Sequence, residues 1–294
     1  MSFIFAEGER LAILAAAQRV DAEEIWPVVA LSTFELDRYK WRLEAIMESD
    51  SDQEHVLAMI REAAPSLSPH CRPVPDEDWI KLSLAGLPAI HAGRFAIAGE
   101  HARGQIGPGK KTVIIEASEA FGTGHHGTTR GCLLALDDLH RRRAKGIGRL
   151  DRFLDIGTGS GVLSIAAAKA GAQFIWASEI DKIAANHARD NAKANGVGHF
   201  HCLTLPGTQH LSIRSAAPFD VIFANILFRP LVRLAPSLVP LIRAGGRIII
   251  SGLLQAQEPL ARAAYVSRGL VVEKRIRLDG WISLVLRKPS KETR

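Results

Sequence analysis

The sequence predicts an α/β fold: a mostly parallel sheet covered by helices on both faces, closed by an antiparallel terminal hairpin and preceded by a small α+β domain. Three observations carry this expectation. From residue 150 onward, short apolar runs alternate with stretches of helical period, the rhythm of βαβ units. A glycine-rich turn, Gly157-Thr158-Gly159-Ser160-Gly161, separates the first of these runs from the first helix. Near the end, Asp279-Gly280 splits two β-prone segments as a hairpin turn would.

Taken in order, residues 8–19 and 52–63 have helical spacing, with Leu11, Leu14, Ala15 and Gln18 on one face and Val56, Met59, Ile60 and Ala63 on the other helix's face. Residues 26–34 and 40–47 between them are β-prone. Pro69, Pro73 and Pro75, with Ser66 and Ser68, mark a linker. The expected division is therefore an N-terminal α+β domain over 1–70, a bridge over 71–115 and a larger α/β domain over 116–294. In the bridge, a helix starts at Asp78-Trp79 and strands cover 93–97 and 113–116. A helix over 132–139, capped by Thr128 or Thr129, opens the third part. Strands are then expected at 153–156, 174–178, 200–205, 220–226 and 247–251, and helices at 162–170, 182–195, 229–243 and 258–267. Gly196 and Gly245-Gly246 act as stops. Segments 270–277 and 281–287 form the closing hairpin.

Composition narrows the class. Hydrophobic residues at 47% and charged residues at 23% exclude disordered and collagen-like chains. Cys71, Cys132 and Cys202 are odd in number and far apart, which excludes a disulfide framework and points to a reducing cytoplasm. No basic, apolar leader opens the chain. No apolar run approaches the ~20 residues of a membrane helix. Charge is uneven: residues 1–100 hold 9 Lys/Arg against 17 Asp/Glu, and residues 101–294 hold 28 against 14. The acidic front half suits a basic partner.

The glycine turn has GxGxG spacing. A dinucleotide site would place its last glycine at position 162, which is Val162. The departure argues against a nicotinamide dehydrogenase and suits a nucleoside without a pyrophosphate. Glu179 lies 22 residues beyond Gly157, at the end of the second strand, where an acid can accept hydrogen bonds from both ribose hydroxyls. Asp155, just before the turn, can hold loop amides or a ligand ammonium. Asn225 ends an apolar strand, on the side of a parallel sheet where ligands sit. Its amide oxygen can accept from an amine and aim the nitrogen lone pair, and in an in-line displacement such positioning counts for most. Asp220, at the start of that strand, is expected to be structural. The polar run 120–130 precedes the helix and is either a capped loop or a lid, in which Phe121 packs on the ligand and the threonines bind a carboxylate. His125 and His126 are adjacent, point apart and have no third ligand near, so no metal site is expected.

These residues, taken together, carry a resemblance. Phe121-Gly122-Thr123-Gly124-His125-His126 with Thr128-Thr129, Leu154 to Gly161, Asp190-Asn191-Ala192, Asn195-Gly196-Val197, Ala224-Asn225-Ile226-Leu227, Leu234-Ala235-Pro236 and Ser251-Gly252-Leu253 resemble the bacterial methyltransferases of ribosomal protein L11 over roughly residues 73–288. The resemblance implies a class I methyltransferase domain with a Rossmann-like, seven-stranded sheet, and a separate N-terminal domain for substrate recognition. It implies S-adenosylmethionine as cofactor, held by Thr129, Gly157, Glu179 and Asn225 with Phe121 near the methyl; the glycine turn itself adds Asp155 and Gly159 to the expected cofactor site, and Asn225 is the expected catalytic residue. The implied substrate is the lysine side chains, and the α-amine, of ribosomal protein L11, with no membrane and no stable nucleic-acid partner. The family usually has aspartate at the position of Glu179 and proline at that of Gly127, and residues 1–70 depart from its usual front. The attacking amine must lose a proton, to His125, to His126 or to solvent. Two rival readings remain: a lysine methyltransferase of another protein, such as an electron-transfer flavoprotein subunit, and a non-catalytic module that binds the cofactor or grips RNA through Arg141-Arg142-Arg143 and Lys145.

Overall fold

The structure, a computed structural model, describes residues 2–22, 28–36, 39–47, 52–73, 89–115, 127–144, 150–208 and 210–290. The chain divides into two compact units, Met1–Trp79 and Ile80–Arg294.

The first unit runs β1 (Ser2–Gly8), α1 (Arg10–Asp21), β2 (Val28–Glu35), β3 (Trp41–Met47), α2 (Gln53–Ala63) and β4 (His70–Pro73). Its antiparallel sheet has the order β2-β3-β1-β4. Ile4 and Ala6 of β1, with Leu43 and Met47 of β3, alternate inward and meet Ile13 of α1 and Ile60 of α2. Two strands here were not expected. β1 is apolar on both faces, because Phe3 and Phe5 on the other side lie under the Arg72 guanidinium at 5.0 and 5.4 Å, so no alternation shows in the sequence. β4 lies in the proline-rich stretch read as a linker. It forms because Cys71 and Arg72 pair with Ile4 and Phe3 of β1, a long-range contact that local composition does not encode.

The second unit begins with β5 (Ile90–Ala92), β6 (Phe95–Ala98) and β7 (Lys111–Ile114), a small sheet in that order. The expected bridge over 71–115 is therefore split. Its first residues complete the first unit's sheet, while Phe95, Ile97 and Val113 join the core of the second. The helix expected at Asp78-Trp79 lies outside the described residues.

A seven-stranded sheet follows, with order β10-β9-β8-β11-β12-β14-β13. Its strands are β8 (Arg152–Ile156), β9 (Phe174–Glu179), β10 (Phe200–Thr204), β11 (Phe219–Asn225), β12 (Ile242–Leu254), β13 (Val271–Leu278) and β14 (Trp281–Arg287). β8 to β12 are parallel, and β14 is antiparallel to both β12 and β13. The helices are α3 (Gly127–Ala144), α4 (Val162–Lys169), α5 (Lys182–Ala194), α6 (Leu211–Ala216), α7 (Phe228–Leu238) and α8 (Glu258–Val266). Successive strand residues feed opposite layers. Phe153, Val221, Phe223 and Ile249 pack toward α3 and α4, while Leu154, Ile222, Ile248 and Ile250 pack toward α7 and α8. Burial on both faces is why these strands read as continuous apolar runs.

The helix expected over 229–243 stops at Leu238. A short 3-10 turn, Val239–Leu241, follows, and β12 starts at Ile242. Pro240 has no N–H to extend the helical ladder, and Val239, Leu241 and Ile242 are buried, so the segment turns back to the sheet. Asp220 is structural, as expected. Its carboxylate accepts from the Asp151 and Arg152 amides at 2.8 and 3.0 Å and from the Arg243 guanidinium. Burial pushes its carboxyl up, but these donors more than offset that and hold it below the usual carboxylate range. No helix among the described residues is long and apolar enough to cross a membrane. Cys71, Cys132 and Cys202 are not disulfide-bonded.

Candidate active site at the strand ends

Strand register brings the predicted residues into one row. Ile156 of β8 pairs with Ser178 of β9 and with Ala224 of β11. Gly157, Glu179 and Asn225 each lie one residue further, so three neighbouring strands deliver them together at the carboxyl edge. Asn225 in turn pairs with Ser251 of β12.

Gly157 leaves β8 with φ +66°, and a Cβ there would lie 2.4 Å from Ile226 Cγ2. Its amide and that of Thr158 donate to the Ser178 carbonyl at 2.8 and 3.2 Å. Glu179 is nine-tenths buried and clasps the loop. Its Oε2 accepts from the Gly159 amide at 2.9 Å, and its Oε1 accepts from the Ile180 and Asp181 amides at 2.8 and 3.2 Å. Each carboxylate oxygen offers two lone pairs, so Oε2 retains capacity for a further donor.

Asp155 does not take the loop amides expected of it, because Glu179 holds Gly159. It is buried, and its Oδ2 accepts instead from the Thr158 and Ser164 hydroxyls, both at 2.7 Å. Its Oδ1 is buried without a hydrogen-bond partner among the described residues. Burial pushes this carboxyl up to about 6, against the pull of the two hydroxyls. With its folded pKa above the unfolded ~3.9, the group favours the fold fully below that value and loses the contribution as pH rises through about 6. Urea unfolding of wild type and Asp155→Asn across pH 4–7 should show the wild type losing on the order of 2–3 kcal/mol relative to the variant as pH rises. Parallel curves for the two proteins would contradict this.

Thr128 and Thr129 are buried within α3, not at its cap, because the helix already includes Gly127, five residues ahead of the expected Cys132. Asn225 Nδ2 donates to Thr129 Oγ1 at 3.3 Å. Ser251 Oγ donates to the Thr128 carbonyl at 3.2 Å and lies 2.7 Å from Ser283 Oγ. The start of α3 is thereby pinned to the ends of β11, β12 and β14. Ile226, next to Asn225, is gripped from both sides: opposite Gly157 stands Gly252, with φ +85° and a Cβ position 2.2 Å from the Ile226 carbonyl oxygen. Gly252→Ala should cost about 3 kcal/mol or more in denaturant unfolding; a loss below ~1 kcal/mol would show that the contact yields.

Two exposed apolar side chains that sequence reasoning missed, Ile180 and Ile183, are 72% and 59% exposed beside Glu179. The signal was available: an isoleucine on each side of the Asp181-Lys182 helix start. Asp181 caps α5 through the Ile183 amide at 2.8 Å, and both isoleucines flank this cap with their side chains exposed. Phe121, His125, His126 and Lys145 lie outside the described residues. Arg142 and Arg143 of the basic run are paired with Asp138, Glu273 and Asp151, a surface ion-pair network. A cavity of about 490 Å³ near the amino-terminal ends of the strands is lined by Arg103, Lys110, Lys111 and Lys169. There Lys111 and Lys169 donate to the carbonyls of Lys169 and Asn195 at 2.5 and 2.7 Å, so these two cations close helix C-termini.

A sheet of five parallel strands closed by an antiparallel pair, with a glycine turn, an acid and an asparagine on adjacent strand ends, defines a class I methyltransferase fold. The chain belongs to the ribosomal protein L11 methyltransferase family: the family model described as "Ribosomal protein L11 methyltransferase (PrmA)" matches residues 8–289. A relative of that name from Caulobacter sp. (strain K31) is 38% identical over 288 residues, 97% of each chain. Another from Bradyrhizobium diazoefficiens is 40% identical over 286 residues, covering 97% of this chain and 90% of the relative. The crystal structure of a ribosomal protein L11 methylase from Lactobacillus delbrueckii subsp. bulgaricus superposes with a TM-score of 0.59 at 27% identity, covering 69% of this chain and all of that one. The match from residue 8 corrects the expectation that the front departs from the family, since only residues from about 73 onward were expected to resemble it.

Proposed function

We propose that this chain transfers methyl groups from S-adenosylmethionine to lysine side chains, and the α-amine, of ribosomal protein L11, in the cytoplasm. The observation that carries the reading is the single row of Gly157, Glu179 and Asn225 across three adjacent strand ends. The residues fit the cofactor on their own chemistry. Glu179 Oε2 has capacity for a further donor, Asp155 Oδ1 is a buried acceptor without a donor among the described residues, and Ile180 offers an apolar surface for a purine. S-adenosylmethionine supplies an electrophilic methyl group. Glu179 accepts from the ribose hydroxyls while it fixes the loop, the backbone at Gly157 and Gly159 admits close approach, and Asp155 favours positive charge nearby. Thr129, which accepts from Asn225, completes the cofactor contacts.

Asn225 is the group that touches the reacting amine. With its Nδ2 committed to Thr129, its Oδ1 is left to accept from the lysine nitrogen and aim its lone pair along the transfer axis. Loss of water around the amine lowers its pKa from ~10.4 toward the neutral form the reaction needs. The acidic first unit engages the basic ribosomal protein. Incubating the chain with free L11 and isotopically labelled S-adenosylmethionine, followed by peptide mass spectrometry, should place label on L11 lysines. Label absent from L11 but present on another protein, such as an electron-transfer flavoprotein subunit, would redirect the assignment.

A further inference from the structure

Asn191 of α5 and Asn195, the residue at that helix's C-cap, are unused by the site as described. Asn191 and Asn195 are four residues apart, hence on one helical face, and 3% and 9% exposed. Asn191 Nδ2 donates to the Ser160 carbonyl at 2.9 Å, and Ser160 is the loop residue between Gly159 and Gly161. Asn195 is held at both ends of its amide. Its Oδ1 accepts from the Ile114 amide at 2.9 Å, and its Nδ2 donates to the Ile114 and Asn191 carbonyls at 2.6 and 2.8 Å. One turn earlier, Ala188 lies 3.3 Å from the position a Cβ on Gly161 would occupy. This face of α5 therefore backs the glycine loop at Ser160 and Gly161, while Glu179 takes the Gly159 amide.

We propose that Asn191 is a positioning residue for the cofactor loop and that Asn195 is its brace, tying the last turn of α5 to β7 so that Asn191 meets Ser160 at a fixed place. The inference rests on the reading of this loop as the S-adenosylmethionine site. Its physical basis is the cost of order. Three glycines within five residues give the loop wide conformational freedom. A loop held from one side only would have to be ordered when the ligand arrives, and affinity would fall by that amount. The Asn191 bond sets the loop beforehand. It also satisfies a buried amide that would otherwise be costly. In this account the asparagines are needed for the approach of a nucleoside to the backbone, and packing alone would be met as well by leucine of similar volume.

The test is calorimetric titration of wild type, Asn191→Leu, Asn195→Leu and the double variant with S-adenosylhomocysteine, each held below its own unfolding transition so that only folded protein is measured. Asn191→Leu should raise the Kd roughly tenfold, about 1.4 kcal/mol, with the loss of turnover falling on the cofactor KM more than on kcat. Asn195→Leu should give a smaller rise. The double variant should be no weaker than Asn191→Leu, because the two residues act in series. Where leucine does not fold, Asn191→Ala should show the same rise in Kd. A lowered Tm with Kd within about twofold of wild type would overturn the proposal, as would fold-changes that multiply in the double variant. No binding by wild type would be a failure of the cofactor reading itself and would remove the basis of the proposal.

Discussion

Asn225→Ala is expected to lower kcat about 100-fold while leaving the Kd for S-adenosylhomocysteine within about threefold of wild type. The expectation follows from where the side chain stands. Asn225 ends β11 beside Gly157, its amide nitrogen is directed at Thr129, and the adjoining Ile226 is locked between Gly157 and Gly252. The oxygen that remains is therefore available to what enters the crevice. Methyl transfer needs the amine lone pair, the methyl carbon and the leaving sulfur in line. Loss of one preorganised polar contact on the reacting group costs roughly 10²-fold. Stopped-time assays at saturating cofactor, with L11 as acceptor, measure it. A variant that turns over like wild type would remove Asn225 from the chemistry, whereas a large rise in Kd with kcat intact would make it a cofactor ligand instead.

Glu179→Ala is expected to weaken cofactor binding by about 100-fold or more. Two effects add. The ribose loses a charged acceptor, worth about 1.5–3 kcal/mol for hydrogen bonds to an ion, and the Gly159, Ile180 and Asp181 amides lose the oxygens that now receive them. Glu179→Gln, which keeps the shape and one acceptor oxygen, should lie between the two. Titration with S-adenosylhomocysteine reads both variants directly. Wild-type affinity in Glu179→Ala would mean that the nucleoside sits elsewhere.

Much of this arrangement was readable from the residues. Local signals and the site coincide for the loop and its acid: an apolar run, a GxGxG turn and an acid at the next strand's end are all short-range features, and parallel register then places them together with Asn225. What the sequence withheld depends on distant partners. Asp155 was expected to hold loop amides or a ligand ammonium, and only the fold shows that Glu179 takes the Gly159 amide while Asp155 accepts from the Thr158 and Ser164 hydroxyls. β4 was hidden in a proline-rich stretch because its stabilising partner is β1, some 65 residues earlier. The early start of β12 was hidden because apolar Val239, Leu241 and Ile242 extend the helical pattern past the point where Pro240 ends it. The start of α3 was set five residues late because Gly127 and Gly131 look like loop residues. Gly131 in fact lets the helix approach Ser283, whose Oγ lies 2.3 Å from where a Cβ would be.

The most direct measurement is a crystal structure of the chain with S-adenosylhomocysteine. The account predicts the ribose hydroxyls within hydrogen-bond distance of Glu179, the purine against Ile180, and the sulfur facing the Asn225 amide oxygen. A nucleoside found away from these three side chains, or an amide oxygen turned from the sulfur, would contradict it.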